Sequence, residues 1–204
     1  MIQGIYGILP QDLPLTYLLT QARAALDGGV QTLQLRDKHL SLLARNERLA
    51  ALHELMTAYD AQLIVNDRFS GLGGTGVHVG RDDFKDLSVL HQQCVDKILG
   101  VTCKGDLSFA AQALQAGADY ISFGALYPTQ SKQDVTPISL SLLAEARQRF
   151  PNANIVAIGG IQQHHFPEIR AAGVDAVAMI QGLFGVDHIE SHAHGLLQAW
   201  KDAA

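Results

Sequence analysis

The chain has 204 residues, 48% of them apolar, which is enough to bury a large core and excludes both a disordered chain and a disulfide-stapled mini-protein. Fifteen Lys and Arg face 20 Asp and Glu, and a net charge of -5 leaves no footprint for sequence-independent nucleic-acid binding. The opening residues lack a basic segment and reach Pro10 and Asp12 before any long apolar span develops, so no signal peptide or membrane helix is expected and the protein reads as cytoplasmic. Cys94 and Cys103 do not form a Cys-x-x-Cys pair, which suits a reducing compartment in which thiols are incidental.

No linker or low-complexity stretch divides the sequence, so residues 1–204 are taken as one domain. Short runs rich in Val, Ile and Leu occur at Gly4–Leu9, Val30–Leu35, Leu63–Asn66, Gly76–Val79, Lys97–Thr102, Tyr120–Phe123, Ile155–Ile158 and Ala176–Ile180. Most are continuous rather than alternating, as parallel strands covered on both faces require. Between them lie stretches with helical spacing, such as Leu15, Leu18, Leu19, Ala22 and Leu26, or Leu42, Leu43, Leu49, Leu52 and Leu55. Gly28-Gly29, Gly117 and Gly173 suit the left-handed turn that returns a helix to a sheet. Asp106 or Ser108, and Ser139 or Ser141, are placed to cap helices. Eight strand–helix units predict a (β/α)8 barrel. A doubly wound sheet is the alternative, disfavoured by the count and by the lack of Gly-x-Gly-x-x-Gly after the first strand. The third unit, Arg68 to Thr75, is Gly-rich and too short for more than one or two helical turns.

In such a barrel chemistry gathers at the C-terminal strand ends. Alternation sends Gln34, Arg36 and Lys38 to one side of the second strand and Leu35 and Asp37 to the other. A planar guanidinium and a mobile ammonium suit a polyphosphate, although Asp37 could instead neutralise either cation in a solvated loop. Asn66-Asp67 and Asp83 follow neighbouring strands, and two carboxylates facing phosphate oxygens make an ordinary Mg2+ site. Asp82 competes with Asp83 for that role, and either could cap a helix beginning near Phe84. Thr129, Ser131 and Lys132 supply hydroxyls and a cation for an anion cradle. Gly159-Gly160 and Gln181-Gly182 follow the last two strands, where barrels often hold a phosphate. Among nine His, none has the spacing of a zinc motif; His164, His165, His192 and His194 read as surface or core residues, and His78 as the one that approaches the barrel interior.

Six segments in order, each at a strand end, resemble the thiamine-phosphate synthase family: residues Val30–Lys38, Ile64–Asp67, Gly76–Gly80 with Asp83, Gly117–Ile121 leading to Phe123-Gly124, Pro128–Lys132, and Val156–Ile161. The resemblance runs from the first strand to about Phe184. It implies a (β/α)8 transferase of thiamine biosynthesis that joins 4-amino-2-methyl-5-hydroxymethylpyrimidine diphosphate to 4-methyl-5-(2-phosphooxyethyl)thiazole and releases diphosphate. It further implies that Gln34, Arg36, Lys38, Asn66, Thr102 and Lys132 bind the pyrimidine diphosphate, with Arg36, Lys38, Lys132 and Thr102 catalytic. By the same likeness Thr129, Ser131, Gly160, Gln181 and Gly182 hold the thiazole phosphate, and Asp67 and Asp83 hold Mg2+. The partners would be those two small molecules, with a homo-oligomer left open.

The chain departs from the family pattern in places. Thr102 stands where Ser is usual, Lys104 where His is usual, Ser131 for a second Thr, Arg81 for Gln, and Ile180-Gln181-Gly182-Leu183 where Val-Ser-Ala-Ile is common. The thiazole phosphate is accordingly expected to rest chiefly on Gly160, Gly182 and the Thr129–Lys132 loop, with Gln181 secondary. The alternatives are the related thiazole tautomerase, which this chain resembles less, and a non-catalytic barrel that only binds a phosphorylated metabolite.

Overall fold

The computed structural model describes residues 1–37, 39–66, 74–80, 94, 96–128 and 137–203. In chain order these form β1 (Gly4–Ile8), α1 (Leu15–Asp27), β2 (Thr32–Leu35), α2 (Leu42–Ala58), β3 (Gln62–Asn66), β4 (Gly76–Val79), β5 (Ile98–Lys104), α3 (Leu107–Gln115) and β6 (Tyr120–Gly124). They continue through α4 (Leu140–Arg149), β7 (Asn154–Ile158), α5 (Phe166–Ala171), β8 (Ala176–Met179), α6 (Gln181–Phe184) and α7 (Ile189–Asp202). All neighbouring strands pair in parallel, and β1 pairs with both β2 and β8, so the sheet closes on itself. Closure excludes the doubly wound alternative, because an open sheet keeps two edges.

The continuous apolar runs are explained by two separate hydrophobic layers. One face of each strand packs outward on the helices, where Leu33, Val65 and Phe123 meet residues such as Leu18, Leu52 and Phe166. The other face points into the barrel, where a smaller set, including Ile2, Ile8, Ile64, Val156 and Ala176, fills the interior. Parallel strands covered on both sides need apolar residues at successive positions rather than at alternate ones.

Boundaries shifted where backbone geometry intervened. The second strand begins at Thr32 rather than Val30, because Gly29, at φ +95°, turns the chain and the Val30 N–H donates back to the Ala25 carbonyl. The fifth runs on to Lys104 through a register irregularity after Thr102, and Lys104 itself adopts φ +54°. Asp106 caps α3 by accepting from the Phe109 N–H at 2.9 Å, and Ser139 caps α4 by accepting from the Leu142 N–H. The short third unit lies outside the described residues except for Gly74 and Thr75.

One amphipathic reading needs correction. Leu42 and Leu43 do not belong to the buried stripe of α2; they are 67% and 80% exposed. The stripe is Arg45, Arg48, Leu49, Leu52, Leu55 and Met56. The first turns of α2 answer a buried carboxylate and backbone carbonyls rather than an apolar surface, so arginines occupy the inward positions.

At the N-terminal strand ends the polar groups are consumed by backbone. Asp119 and Asp175 repeat one clasp: each carboxylate accepts the N–H of a strand residue, Leu99 and Ile155, at 2.7 Å, while its own N–H donates to that same residue's carbonyl. Arg147 donates to the Asp175 carboxylate and to the carbonyls of Gly173, Pro151 and Ala153. Asn154 exchanges two bonds with the backbone of Ile2. Both cysteines are buried, and burial pushes the Cys94 thiol up, as befits an inert thiol.

Candidate active site

Strand register places the polar side chains. Gln34 is the third residue of β2, and its buried amide donates from Nε2 to the Tyr6 hydroxyl of β1 at 2.6 Å. Tyr6 Oη lies 3.0 Å from Tyr120 Oη of β6, reached across the barrel interior, with the rings edge to face. Tyr120 Oη meets His78 Nδ1 of β4 at 2.8 Å, and the two rings stack. His78 Nε2 meets Thr102 Oγ1 of β5 at 2.7 Å, and Ser122 donates to the same oxygen at 3.4 Å. A continuous hydrogen-bonded chain therefore joins Gln34 to Thr102.

Gly100 makes this chain sterically feasible. It sits in register between His78 of β4 and Tyr120 of β6, and a Cβ there would fall inside the Tyr120 ring. The missing side chain lets residues from strands two apart touch. Both phenols are raised from their ordinary range, Tyr6 by burial against the opposing pull of its bonds to Tyr120 and Gln34, and Tyr120 by burial reinforced by Tyr6. They act as neutral donors and acceptors.

Arg36 follows β2, half-buried, and Asp37 turns away from it as alternation predicts. The Asp37 carboxylate pairs with Arg48 Nη1 at 3.1 Å, and its carbonyl accepts from Arg45 Nη2 at 2.8 Å. Asp37 thus neutralises α2 rather than Arg36, and Arg36 forms no ion pair among the described residues. Burial lifts the Asp37 carboxyl, Arg48 draws it back, and Asp12 adds a smaller upward push. Asn66 closes β3, half-buried, one strand away from Gln34.

The loops after β6, β7 and β8 lock together by close backbone contact. Gly160, at φ +62°, leaves no room for a Cβ, which would stand 2.7 Å from the Tyr127 carbonyl oxygen. Tyr127 stacks on His165 with ring centroids 3.6 Å apart, and its hydroxyl donates to Glu168 of α5. A Cβ on Gly182 would stand 2.7 Å from the Ile161 carbonyl, and the Gly182 carbonyl lies 2.8 Å from His192 Nε2 of α7. Gln181 is exposed, and its Oε1 lies 2.8 Å from the position of a Cβ on Gly185, so the side chain folds along its own short helix.

The structure thus brings Gln34, Arg36, Asn66 and Thr102 to the C-terminal ends of β2, β3 and β5, and Gly160 and Gln181-Gly182 to those of β7 and β8. Lys38, Asp67, Asp83, Thr129, Ser131 and Lys132 lie outside the described residues, as do Arg81 and Asp82. Among the described residues no group of three or more His, Cys, Asp or Glu could hold a metal, and no helix is long and apolar enough to cross a membrane. Sequence reasoning missed Tyr6, Tyr120 and Ser122, hidden inside runs read as apolar. The available signal was parity, since Tyr120 and Ser122 alternate along β6 as Gln34 and Arg36 do along β2. It also took His192 for a plain surface or core residue, whereas it ties α7 to the loop after β8.

The sequence matches the model of the family described as thiamine monophosphate synthase over residues 5–183. The chain belongs to that family. The thiamine-phosphate synthase of Alcanivorax borkumensis is 40% identical over 202 residues, covering 96% of this chain and 93% of the relative. That of Chromobacterium violaceum is 37% identical over 198 residues, with 96% and 95% covered. Among solved structures, a thiamine phosphate pyrophosphorylase from Pyrococcus furiosus superposes with a TM-score of 0.87 at 27% identity, covering 98% of this chain and 96% of that one. Membership in the thiamine monophosphate synthase family makes the chain a transferase of thiamine biosynthesis built on a TIM barrel.

Proposed function

We propose that the chain joins 4-amino-2-methyl-5-hydroxymethylpyrimidine diphosphate to 4-methyl-5-(2-phosphooxyethyl)thiazole, giving thiamine phosphate and diphosphate, in the cytoplasm and with Mg2+. The observation that carries this reading is the placement of Gln34, Arg36, Asn66 and Thr102 at the C-terminal ends of β2, β3 and β5, with Arg36 relieved of its adjacent carboxylate by Arg48. In the reaction the bond from the pyrimidine methylene to the diphosphate oxygen breaks, its electron pair leaves with diphosphate, and the thiazole nitrogen forms the new C–N bond. The pyrimidine amino group stabilises the electron-poor methylene, so no protein nucleophile is needed.

Arg36, Lys38 and Lys132 are assigned to the diphosphate, where fixed positive charge gains strength as negative charge accumulates on the leaving group. Thr102 donates a hydroxyl to it, and Gln34 and Asn66 orient the pyrimidine. Gly160 and Gly182, with Thr129 and Ser131, are assigned to the thiazole phosphate. In the sequence Asp67 comes directly after the last residue of β3 and Asp83 four residues after the last residue of β4, and both carry the hard oxygen donors that Mg2+ takes. When bound, Mg2+ would supply charge neutralisation for the diphosphate.

The test is incubation of the protein with both substrates and Mg2+, with thiamine phosphate measured by chromatography. Product is expected, with loss in excess chelator and in Asp67→Asn or Asp83→Asn at unchanged thermal stability. Full activity in chelator would remove Mg2+ from the reading. Arg36→Met should lower the maximal rate; an effect confined to the Michaelis constant for the thiazole phosphate would overturn its assignment.

A further inference from the structure

The chain of hydrogen bonds from Gln34 to Thr102 has a direction, and the direction has chemical consequences. Gln34 Nε2 is a donor only, so Tyr6 Oη accepts from it, and the buried Tyr6 proton then has a single acceptor among the described residues, Tyr120 Oη. Tyr120 then places its proton on His78 Nδ1, which has to be the bare nitrogen. The His78 proton therefore sits on Nε2 and is donated to Thr102 Oγ1. With Ser122 also donating there, both lone pairs of the Thr102 oxygen are engaged, and its own O–H remains to donate elsewhere. At the other end Gln34 has spent an amide hydrogen, and its Oε1 takes no hydrogen bond among the described residues.

We propose that Tyr6, Tyr120 and His78 form a polarity-setting relay, which holds His78 in the Nε2–H tautomer and presents a fixed acceptor, Gln34 Oε1, and a fixed donor, Thr102 O–H, to the bound substrate. The three are positioning residues for the two that touch it. The relay selects a ligand with an N–H toward Gln34 and an anionic oxygen toward Thr102, and discriminates against an analogue carrying a carbonyl in place of the amino group. Rejection would be strong because two acceptors would then face each other in a buried site. The destinations of the two ends rest on the substrate reading above; the direction of the chain does not.

The test separates the two. In ligand-free protein with 15N-labelled histidine, long-range proton–nitrogen correlation at alkaline pH, assigned with His78→Gln, is expected to show the His78 proton on Nε2. A proton on Nδ1 would overturn the relay. Gln34→Glu puts an acceptor at the first position and should reverse every donor, moving the His78 proton to Nδ1 across two intervening tyrosines. An unmoved proton in the folded variant would overturn the claim that Gln34 sets the direction. Tyr120→Phe cuts the chain without removing a ligand contact. It should raise the Michaelis constant for the aminopyrimidine diphosphate at least tenfold, leave that for the thiazole phosphate within threefold, and narrow the preference for the amino over the oxo analogue. An equal effect on both substrates, or undiminished preference, would reduce Tyr120 to a packing role. If wild-type protein binds no pyrimidine diphosphate while His78 still carries its proton on Nε2, the substrate reading fails and the relay stands.

Discussion

The two ends of the barrel use polar residues in opposite ways. At the N-terminal ends of the strands Asp119, Asp175, Asn154 and Arg147 direct their hydrogen bonds largely to main-chain atoms, clasping one turn to the next strand. Inside the barrel a chain that begins low, at Tyr120, the first residue of β6, and rises through Tyr6 and His78 to Gln34 and Thr102 in the later parts of β2 and β5 bonds side chain to side chain. Backbone partners are fixed by the fold, so the first arrangement adds stability and has little freedom to do anything else. Side-chain partners can be redirected by a ligand, so the second arrangement can orient and discriminate. Changes at the bottom should therefore move stability alone, whereas changes at the top should move substrate kinetics as well.

The largest effect should come from Arg48→Met, which leaves the Asp37 carboxylate buried without its ion-pair partner. A loss of about 4 kcal/mol at neutral pH is expected in urea denaturation. The Asp37 carboxyl is already lifted by burial, and losing Arg48 raises it further. A carboxyl whose folded value exceeds its unfolded value costs stability above the folded value, and that cost is relieved as pH falls toward the unfolded value. The deficit of the variant should therefore shrink on acidification, and the Michaelis constant for the pyrimidine diphosphate should rise because the segment bearing Arg36 loses its anchor. A deficit that grows with acidification would contradict this account.

Gly100→Ala sharpens the comparison from inside the barrel. The added methyl must displace the Tyr120 ring, with about 3 kcal/mol of overpacking cost. Loss of the His78–Tyr120 bond should accompany it, visible as a weakened grip on the pyrimidine diphosphate. Unchanged affinity in the folded variant would detach the interior chain from substrate binding.

Asp175→Ala tests the opposite end. It removes the bond to the Ile155 N–H and the partner of Arg147, and about 2 kcal/mol of stability, or roughly 6 °C in melting temperature, should go with it. Kinetic constants measured well below the melting temperature should stay within a factor of about two, the margin that separates a structural end from a functional one. A selective loss of one substrate would break the division between the two ends.

The smallest effect is expected from Gln181→Ser. Its side chain folds along α6, with Oε1 close to Gly185. Affinity for the thiazole phosphate, measured by calorimetry, should change by less than about tenfold, roughly 1.4 kcal/mol. A hundredfold loss would make Gln181 a principal ligand.

The barrel itself was legible in the sequence. Eight apolar runs, glycines at helix ends and helix-capping Asp106 and Ser139 are local signals, and each reflects a requirement of the backbone or of burial on two faces. Strand parity was enough to set Gln34 and Arg36 apart from Asp37, because alternation is a property of any strand. What Asp37 pairs with was open, and Arg48 is its partner only because α2 packs beside the end of β2. Likewise Leu42 and Leu43 read as core by periodicity alone, yet the surface presented to that first turn is polar.

Tyr6, Tyr120 and Ser122 carried no signal as a set. They lie on β1 and β6, separated by more than a hundred residues in the chain, and Tyr6 and Tyr120 meet only because barrel closure through β7 and β8 turns both strands toward one interior and Gly100 leaves space for a ring. Sequence by itself determined which residues form strands and which way each side chain points, since backbone sterics and period-two alternation act within a few residues. Only the tertiary structure decided which inward-pointing groups touch, because that depends on shear, closure and the volume left by distant glycines, none of which is encoded in a local window.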